Sequence, residues 1–310
     1  MRVVIAGDTG LAGSAITKLF QEAGYEVFGI NRSVADLLNY EVTNQFLNDV
    51  KPEMVIDAAA RVGGIGANNT FPVEFFEENI RIQGNLMHAA HNAKVKRFVF
   101  LGSSCIYPRD CKQPIKEEYL MCGPLESTNS AYAMAKIAGI ELINSYRKEY
   151  GHNWISLMPT NLYGPRDNFK LNESHVLPAL IRRFIEATES GVKEITVWGS
   201  GSPKREFLHV NDLAHAVLLT AHKYDSPLHL NIGTGAEISI KELAQKIARA
   251  AGFEGDILWD TSKPDGTPRK VLDVSRIHNL GWSPQVTLDE GIASTIEWYK
   301  MATQKGESRI

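Results

Sequence analysis

Cysteine is scarce: Cys105, Cys111 and Cys122 are the only 3 in 310 residues, an odd number without metal-ligand spacing. Neither a disulfide framework nor a zinc site is expected from them. Long apolar runs are missing too, and none approaches the ~20 residues needed to span a bilayer. The opening Met1-Arg2-Val3-Val4-Ile5-Ala6-Gly7 runs straight into a strand pattern, without the charged and apolar regions of a secretory leader. No sign of charge dominates: the net charge is −3, so neither nucleic acid nor an anionic membrane is an expected partner. Any anion site has to be built locally. Internal repeats and low-complexity linkers are also lacking. The expectation is a cytoplasmic protein of ordinary globular composition, 44% hydrophobic and 22% charged, long enough for one large domain or two sharing a cleft.

What is present is an alternation of short apolar runs and longer helical patterns, the signature of a parallel sheet with crossover helices. Strands are expected at Arg2–Ala6, Glu26–Ile30, Met54–Ala58, Arg97–Leu101 and Trp154–Met158, each rich in Val, Ile, Leu or Phe as strands buried on both faces are. Helices are expected at Leu11–Ala23, Asn44–Val50, Val73–Asn92 and Ala131–Tyr150. After Tyr163-Gly164-Pro165 the pattern changes: Asp167–Ser174 is polar and irregular, Val176–Thr188 helical and Glu194–Trp198 a strand. Val210–Lys223 and Ser239–Ala251 read as helices, Leu228–Ile232 and Asp256–Trp259 as strands, and Thr261–Arg269 as a loop. The fold class is therefore α/β, a doubly wound parallel sheet with a smaller C-terminal α/β lobe and a cleft at the carboxyl ends of the strands. Residues 1–165 plus about 205–235 are assigned to a nucleotide-binding domain, and about 166–204 plus 236–310 to a substrate lobe.

Gly7-Asp8-Thr9-Gly10-Leu11-Ala12-Gly13 follows the first strand and opens the first helix. The first glycine permits a tight turn, the second lets backbone approach a pyrophosphate, and the third lets helix and strand pack, while the helix start supplies N–H donors. The second strand ends in Ile30-Asn31-Arg32, with a cation where an NAD-preferring site carries an acid. A guanidinium there pairs with a 2′-phosphate, which favours NADP(H). The plain alternative is a solvated surface arginine.

Tyr132 and Lys136 share a helix face. A free phenol titrates near ~10, too high for proton exchange at neutral pH, and a neighbouring ammonium is expected to bring it down. Ser103, ending the fourth strand, is placed to hold a substrate carbonyl, and Thr128, Asn129 and Ser130 are candidate N-caps for the helix.

The glycine turn, Ser103 and the Tyr132/Lys136 pair together resemble the extended short-chain dehydrogenase/reductase family. Gly102-Ser103-Ser104-Cys105-Ile106-Tyr107-Pro108, Met158-Pro159-Thr160-Asn161-Leu162-Tyr163-Gly164-Pro165 and Asn172-Glu173-Ser174-His175-Val176 are similar to its GDP-L-fucose synthase branch. So are Val62-Gly63-Gly64-Ile65-Gly66-Ala67-Asn68-Asn69-Thr70, Val197-Trp198-Gly199-Ser200-Gly201, Arg205-Glu206-Phe207-Leu208-His209-Val210 and Lys263-Pro264-Asp265-Gly266-Thr267-Pro268-Arg269-Lys270. The resemblance implies an NADPH-dependent epimerase and reductase that inverts C3 and C5 of GDP-4-keto-6-deoxy-D-mannose and then reduces its C4 ketone. It implies Cys105 as base and His175 as acid, roles the residue types alone do not establish, because a lone thiol is usually a small buried hydrophobe. It places Leu101, Gly102, Ser103, Ser104, Lys136, His175 and Pro159 to Leu162 (with Thr160 and Asn161) at the cofactor, and Arg183, Trp198, Arg205 and Asp265 at the nucleotide-sugar. Of the adjacent Arg182 and Arg183, one is expected to face solvent. The resemblance also implies a homodimer through the helices around Val73–Asn92 and Ala131–Tyr150.

There is one departure: relatives often carry His-Arg or His-Lys between the first two glycines, where this chain has Asp8 and Thr9. That shifts the weight of NADP recognition onto Arg32, and an acid at that position works against discrimination from NAD. Two other readings stay open: a C4 reductase of another GDP-4-keto sugar such as a 6-deoxy-heptose, and a non-catalytic NADP-binding sensor on the same fold. A sensor has no use for Ser103, Tyr132 and Lys136 together.

Overall fold

The computed structural model describes residues 1–170, 173–263 and 265–306, so Asn172 and Pro264 of the family-like strings lie outside the described residues. In chain order the elements are β1 (Arg2–Ala6), α1 (Leu11–Glu22), β2 (Glu26–Ile30), α2 (Tyr40–Val50), β3 (Met54–Asp57), α3 (Ile65–Thr70), α4 (Pro72–Asn92) and β4 (Arg97–Leu101). There follow α5 (Ser130–Tyr150), β5 (Asn153–Pro159), β6 (Asn161–Tyr163), α6 (Val176–Ser190), β7 (Glu194–Trp198), β8 (Lys204–Arg205), β9 (Phe207–His209) and α7 (Val210–Lys223). The chain continues through β10 (Leu230–Ile232), β11 (Ile238–Ser239), α8 (Ile240–Ala251), β12 (Asp256–Asp260), β13 (Arg269–Lys270), α9 (Ser275–Asn279) and α10 (Leu288–Gln304).

The main sheet has 6 strands in the order β10-β5-β4-β3-β1-β2, and every pairing in it is parallel. The order reverses between β1 and β3, so their carboxyl ends frame a crevice where a ligand can enter. Val3, Val4, Ile5, Val55, Ile56, Phe98, Val99 and Phe100 are sealed from solvent, because helices cover both faces: α1 packs on α7, and α4 packs on both α2 and α5. A second apolar cluster, built from Phe169, Ile181, Phe184, Leu243, Ile247, Ile292 and Ile296, lies under α6, α8 and α10. Leu272, Val274, Ile277 and Trp282 pack into the first cluster, so the chain returns to the main sheet late in its course.

The five leading strands and the long helices follow the apolar pattern within a few residues. Three local expectations need correction. α2 begins a turn earlier than expected, at Tyr40, because Asn39 caps it by accepting from the Val42 N–H. None of the expected caps bonds the start of α5: Ser127–Asn129 wind into a 3₁₀ turn, and Asn129, at the cap position, makes no capping side-chain bond. The loop after β12 ends before Arg269, where the two-residue strand β13 joins β8. Helix α10 carries a capping box, Thr287 with Glu290, a signal that the apolar pattern alone passed over. No helix among the described residues is long and apolar enough to cross a membrane.

Candidate active site

The glycine turn is built as a cradle. Gly7 sits at φ +76° and Gly10 starts α1 without any side-chain cap. A Cβ on Gly13 would collide with the Gly7 carbonyl oxygen, so only glycine lets the helix approach the strand this closely. The first N–H groups of α1 thus face the crevice at the positive end of a helix dipole, a geometry that fits a dinucleotide pyrophosphate. Arg32 is exposed beyond β2, with no hydrogen bond or ion pair among the described residues, and Thr9 in the glycine turn is exposed too. Asp8 leans across Gly29 toward the end of β2, where it accepts from Asn31 Nδ2 at 2.8 Å.

On the other side of the crevice, β4 delivers Leu101 and Gly102, with Gly102 pressed on Met158. Ser103 begins a 3₁₀ turn over Ser104–Ile106, and its Oγ accepts from the Cys105 N–H at 3.3 Å. Lys136 is buried, and its Nζ donates to the Leu101 carbonyl at 3.0 Å. The same Nζ lies 4.7 Å from the Phe100 ring centroid and 5.9 Å from that of Tyr132. Tyr132 is half-buried and meets Phe75 edge-on, ring centroids 6.4 Å apart.

The electrostatics correct the expectation for the phenol. Burial pushes Tyr132 well above its usual value, and Cys105 and Asp57 push the same way. Burial likewise lowers the Lys136 ammonium, against the pull of Asp57 and Cys105. Asp57, missed by sequence reasoning, ends β3 as the register partner of Phe100, fully buried. Its Oδ1 accepts from the Ala59 N–H at 3.2 Å while Oδ2 has no partner, and burial, opposed by Lys136, raises the carboxyl to about 6.

Cys105 is buried, and burial raises its thiol; Lys270 is the largest opposing influence, followed by the hydrogen bond from Ser103. Lys270 is a second residue that sequence reasoning passed over, having been read only as the end of a family-like string. His175 is exposed at the N-cap position of α6 without capping it, and desolvation by the surrounding protein lowers its imidazole. The preceding segment is held by the Val62–Thr70 string: the Gly64 N–H donates to the Glu173 carbonyl at 2.7 Å. A Cβ on Gly64 would lie 2.5 Å from the Ser174 oxygen, and Asn68 Nδ2 ties the Gly63 and Gly64 carbonyls at 2.7 and 3.1 Å. The missing side chain at Gly64 lets the segment before His175 come close.

Pro159 closes β5, and just beyond it the Thr160 N–H donates to the Ile232 carbonyl at 2.9 Å. Asn161 Nδ2 donates to the Glu206 carbonyl at 2.8 Å, and the half-buried Leu162 packs against the main core. Arg183 is half-buried and bonds the Thr196 carbonyl, and desolvation lowers its guanidinium. Arg182 is not simply solvated: it pairs with Glu186 at 2.7 Å and donates to the Phe169 carbonyl at 3.3 Å. Trp198 is 71% exposed, a bare aromatic face at the end of β7 with Lys263 Nζ 5.8 Å from its centroid. Arg205 is half-buried on β8, attracted by Asp265 and Glu126. Both Asp265 oxygens already accept from Ser200, Oδ1 from its N–H at 2.9 Å and Oδ2 from its Oγ at 2.6 Å, which fixes the turn following Trp198. Among the described residues no group of three or more His, Cys, Asp or Glu is placed to hold a metal ion.

A nucleotide cradle facing a Ser/Tyr/Lys set is the arrangement of the NAD dependent epimerase/dehydratase family, which matches residues 3–233; the chain belongs to it. Across 96% of its length the chain is 49% identical to the GDP-L-fucose synthase of Escherichia coli (strain K12), covering 96% of that protein. Among solved structures it is similar to a GDP-6-OMe-4-keto-L-xylo-heptose reductase from C. jejuni, with 36% identity, a TM-score of 0.91 and 97% of each chain covered. It is also similar to a GDP-L-fucose synthetase from Naegleria fowleri bound to NADP, with 29% identity, a TM-score of 0.90, and 100% of this chain and 96% of that one covered.

Proposed function

We propose that this chain converts GDP-4-keto-6-deoxy-D-mannose to GDP-L-fucose, epimerising C3 and C5 and then reducing the C4 ketone. The observation that carries it is near half identity to a GDP-L-fucose synthase over almost the whole chain, and the grouping of Ser103, Cys105, Tyr132 and Lys136 at the carboxyl end of β4 supports it. NADP(H) is the cofactor that the Gly7–Gly13 turn, Lys136 and the Pro159–Leu162 segment would hold, and it supplies the hydride for C4.

The C4 carbonyl acidifies the C–H bonds at C3 and C5, so one oxyanion site serves both inversions. Ser103 and Tyr132 hydroxyls hold the C4 oxygen as it gains charge. Cys105 takes the proton from one face of the sugar and His175 returns one to the other. In the reduction Tyr132 gives its proton to the C4 oxygen. The raised phenol suits that last role, since it stays protonated until the alkoxide forms. Arg183 and Arg205, low in hydration and fork-shaped, are the candidates for the diphosphate, and Trp198 offers a stacking face.

A C4 reductase of another GDP-4-keto sugar is the second reading, supported by the fold match to the heptose reductase. Residues 1–165 with about 205–235 are proposed to form the cofactor domain and the remainder the sugar lobe; the presence of two apolar clusters supports two units, with Leu272, Val274, Ile277 and Trp282 packing into the first and Tyr163 and Phe207 into the second. A cytoplasmic homodimer is proposed as well: Phe71, Val73, Phe76 and Met134 leave apolar surface exposed on and beside the packed pair α4 and α5.

Incubation with GDP-4-keto-6-deoxy-D-mannose and NADPH in D2O tests the reading. GDP-L-fucose with deuterium at C3 and C5 is the expected product. Reduced sugar without deuterium would leave only C4 reduction, and no turnover alongside tight NADPH binding would redirect the assignment to heptose substrates.

A further inference from the structure

In a dinucleotide fold the adenosine ribose lies against the end of the second strand, where an acid from that strand grips its hydroxyls. Here β2 ends in Ile30-Asn31 and supplies none. The tertiary structure brings one from elsewhere. Asp8, in the turn after β1, crosses the neighbouring strand over Gly29; a Cβ on Gly29 would collide with Asp8 Oδ2, so the missing side chain makes the passage. Asn31 Nδ2 then fixes Asp8 Oδ1 at 2.8 Å. Asn31 is itself locked, its Oδ1 accepting from the Ser33 N–H at 3.0 Å and the Ser33 Oγ at 2.6 Å. Three residues thus hold one carboxylate, half-buried, at the place where the adenosine ribose is read. Arg32 stands beside them, exposed.

We propose that Asp8 is a specificity-determining residue that grips the adenosine ribose hydroxyls, so that the chain binds NADH as well as NADPH. The two nucleotides meet opposite charges at this corner. A 2′-phosphate gains from the Arg32 guanidinium and is repelled by Asp8; a free 2′-hydroxyl gains a charge-assisted hydrogen bond from Asp8 and nothing from Arg32. Neither residue overrules the other, and the preference between the two cofactors is narrow. This rests on the cofactor half of the site only and is independent of which sugar is reduced.

Dissociation constants for NADPH and NADH, measured by nicotinamide fluorescence on the protein without sugar substrate, test it. Wild type is expected to bind the two within about tenfold of each other; a preference for NADPH of a hundredfold or more would overturn the proposal. Asp8→Asn, which keeps the shape and removes the charge, is expected to shift the ratio toward NADPH by about tenfold. Gly29→Ala leaves the acid in the chain but pushes it off the strand, and is expected to shift the ratio the same way. Arg32→Ala is expected to shift it toward NADH. If Asp8→Asn and Gly29→Ala each leave the ratio within about twofold of wild type, the assignment of Asp8 is wrong. Circular dichroism identifies any variant that fails to fold, and the other then decides. Loss of fucose synthesis with these constants intact would count against the substrate reading alone.

Discussion

The Lys136 ammonium donates to the Leu101 carbonyl at 3.0 Å, joining the helix that carries Tyr132 to the strand that delivers Ser103. A buried cation thereby ties together the elements that carry the two groups proposed to hold the substrate oxygen. Replacing Tyr132 by Phe leaves this joint intact and removes only the proton donor. The expected result is a fall in kcat for ketone reduction of about 10²–10⁴-fold, with NADPH affinity changed by no more than about twofold. Lys136→Met breaks the joint as well and is expected to weaken NADPH binding in addition. Turnover and fluorescence titration on the two variants separate these effects.

Cys105 is held above its usual range by burial, with Lys270 as the main counterweight. Only the thiolate removes a proton, so the rate of solvent deuterium uptake at C3 and C5 should climb as pH rises through the alkaline range. Lys270→Met removes the counterweight and is expected to move that climb to higher pH. Cys105→Ser is expected to slow uptake by about 10²-fold or more while leaving reduction of an already epimerised ketone working. An unmoved pH profile in Lys270→Met would show that the cation does not act on the thiol.

Asp57 has a folded value of about 6 against an ordinary 3.8, so the folded chain binds this proton more tightly than the unfolded chain. Its contribution is most favourable below the unfolded value and is lost as pH rises to about 6, a cost of about 3 kcal/mol at most. Asp57→Asn cannot ionise and escapes that loss. Urea unfolding at about pH 4 and about pH 7 should therefore show the variant gaining on wild type as pH rises. An equal difference at both pH values would contradict the argument.

Glu206 is sealed from solvent and accepts from the Gly235 N–H and the Leu272 N–H, both at 2.8 Å, on its two oxygens. Glutamine must turn an NH₂ toward one of these donors. Glu206→Gln is expected to cost about 1–3 kcal/mol in urea unfolding through the orphaned donor. Glu206→Asp, too short to reach both, should cost a similar amount.

Much of this was readable from the chain. β1 to β5 were visible because strands covered on both faces leave unbroken Val/Ile/Phe runs. β6, β8, β9, β11 and β13 are too short, at 2 or 3 residues, to show any period. Ser103, Tyr132 and Lys136 could be picked out because their spacing is local to one strand end and one helix face. Asp57 and Lys270 could not, because each acts through a neighbour brought from a distant part of the chain, Lys136 and Cys105 respectively.

By itself, then, the sequence determined the alternation of elements and the glycine turn, and it singled out Ser103, Tyr132 and Lys136 as candidates, since these patterns are local to a few residues. The tertiary structure alone decided the charges around them. It buried Tyr132 so that its phenol rises rather than falls, carried the Asp8 carboxylate across to the end of β2, and let Gly64 seat the His175 segment. Burial and through-space Coulomb interaction depend on where distant segments meet, and no local pattern encodes that distance.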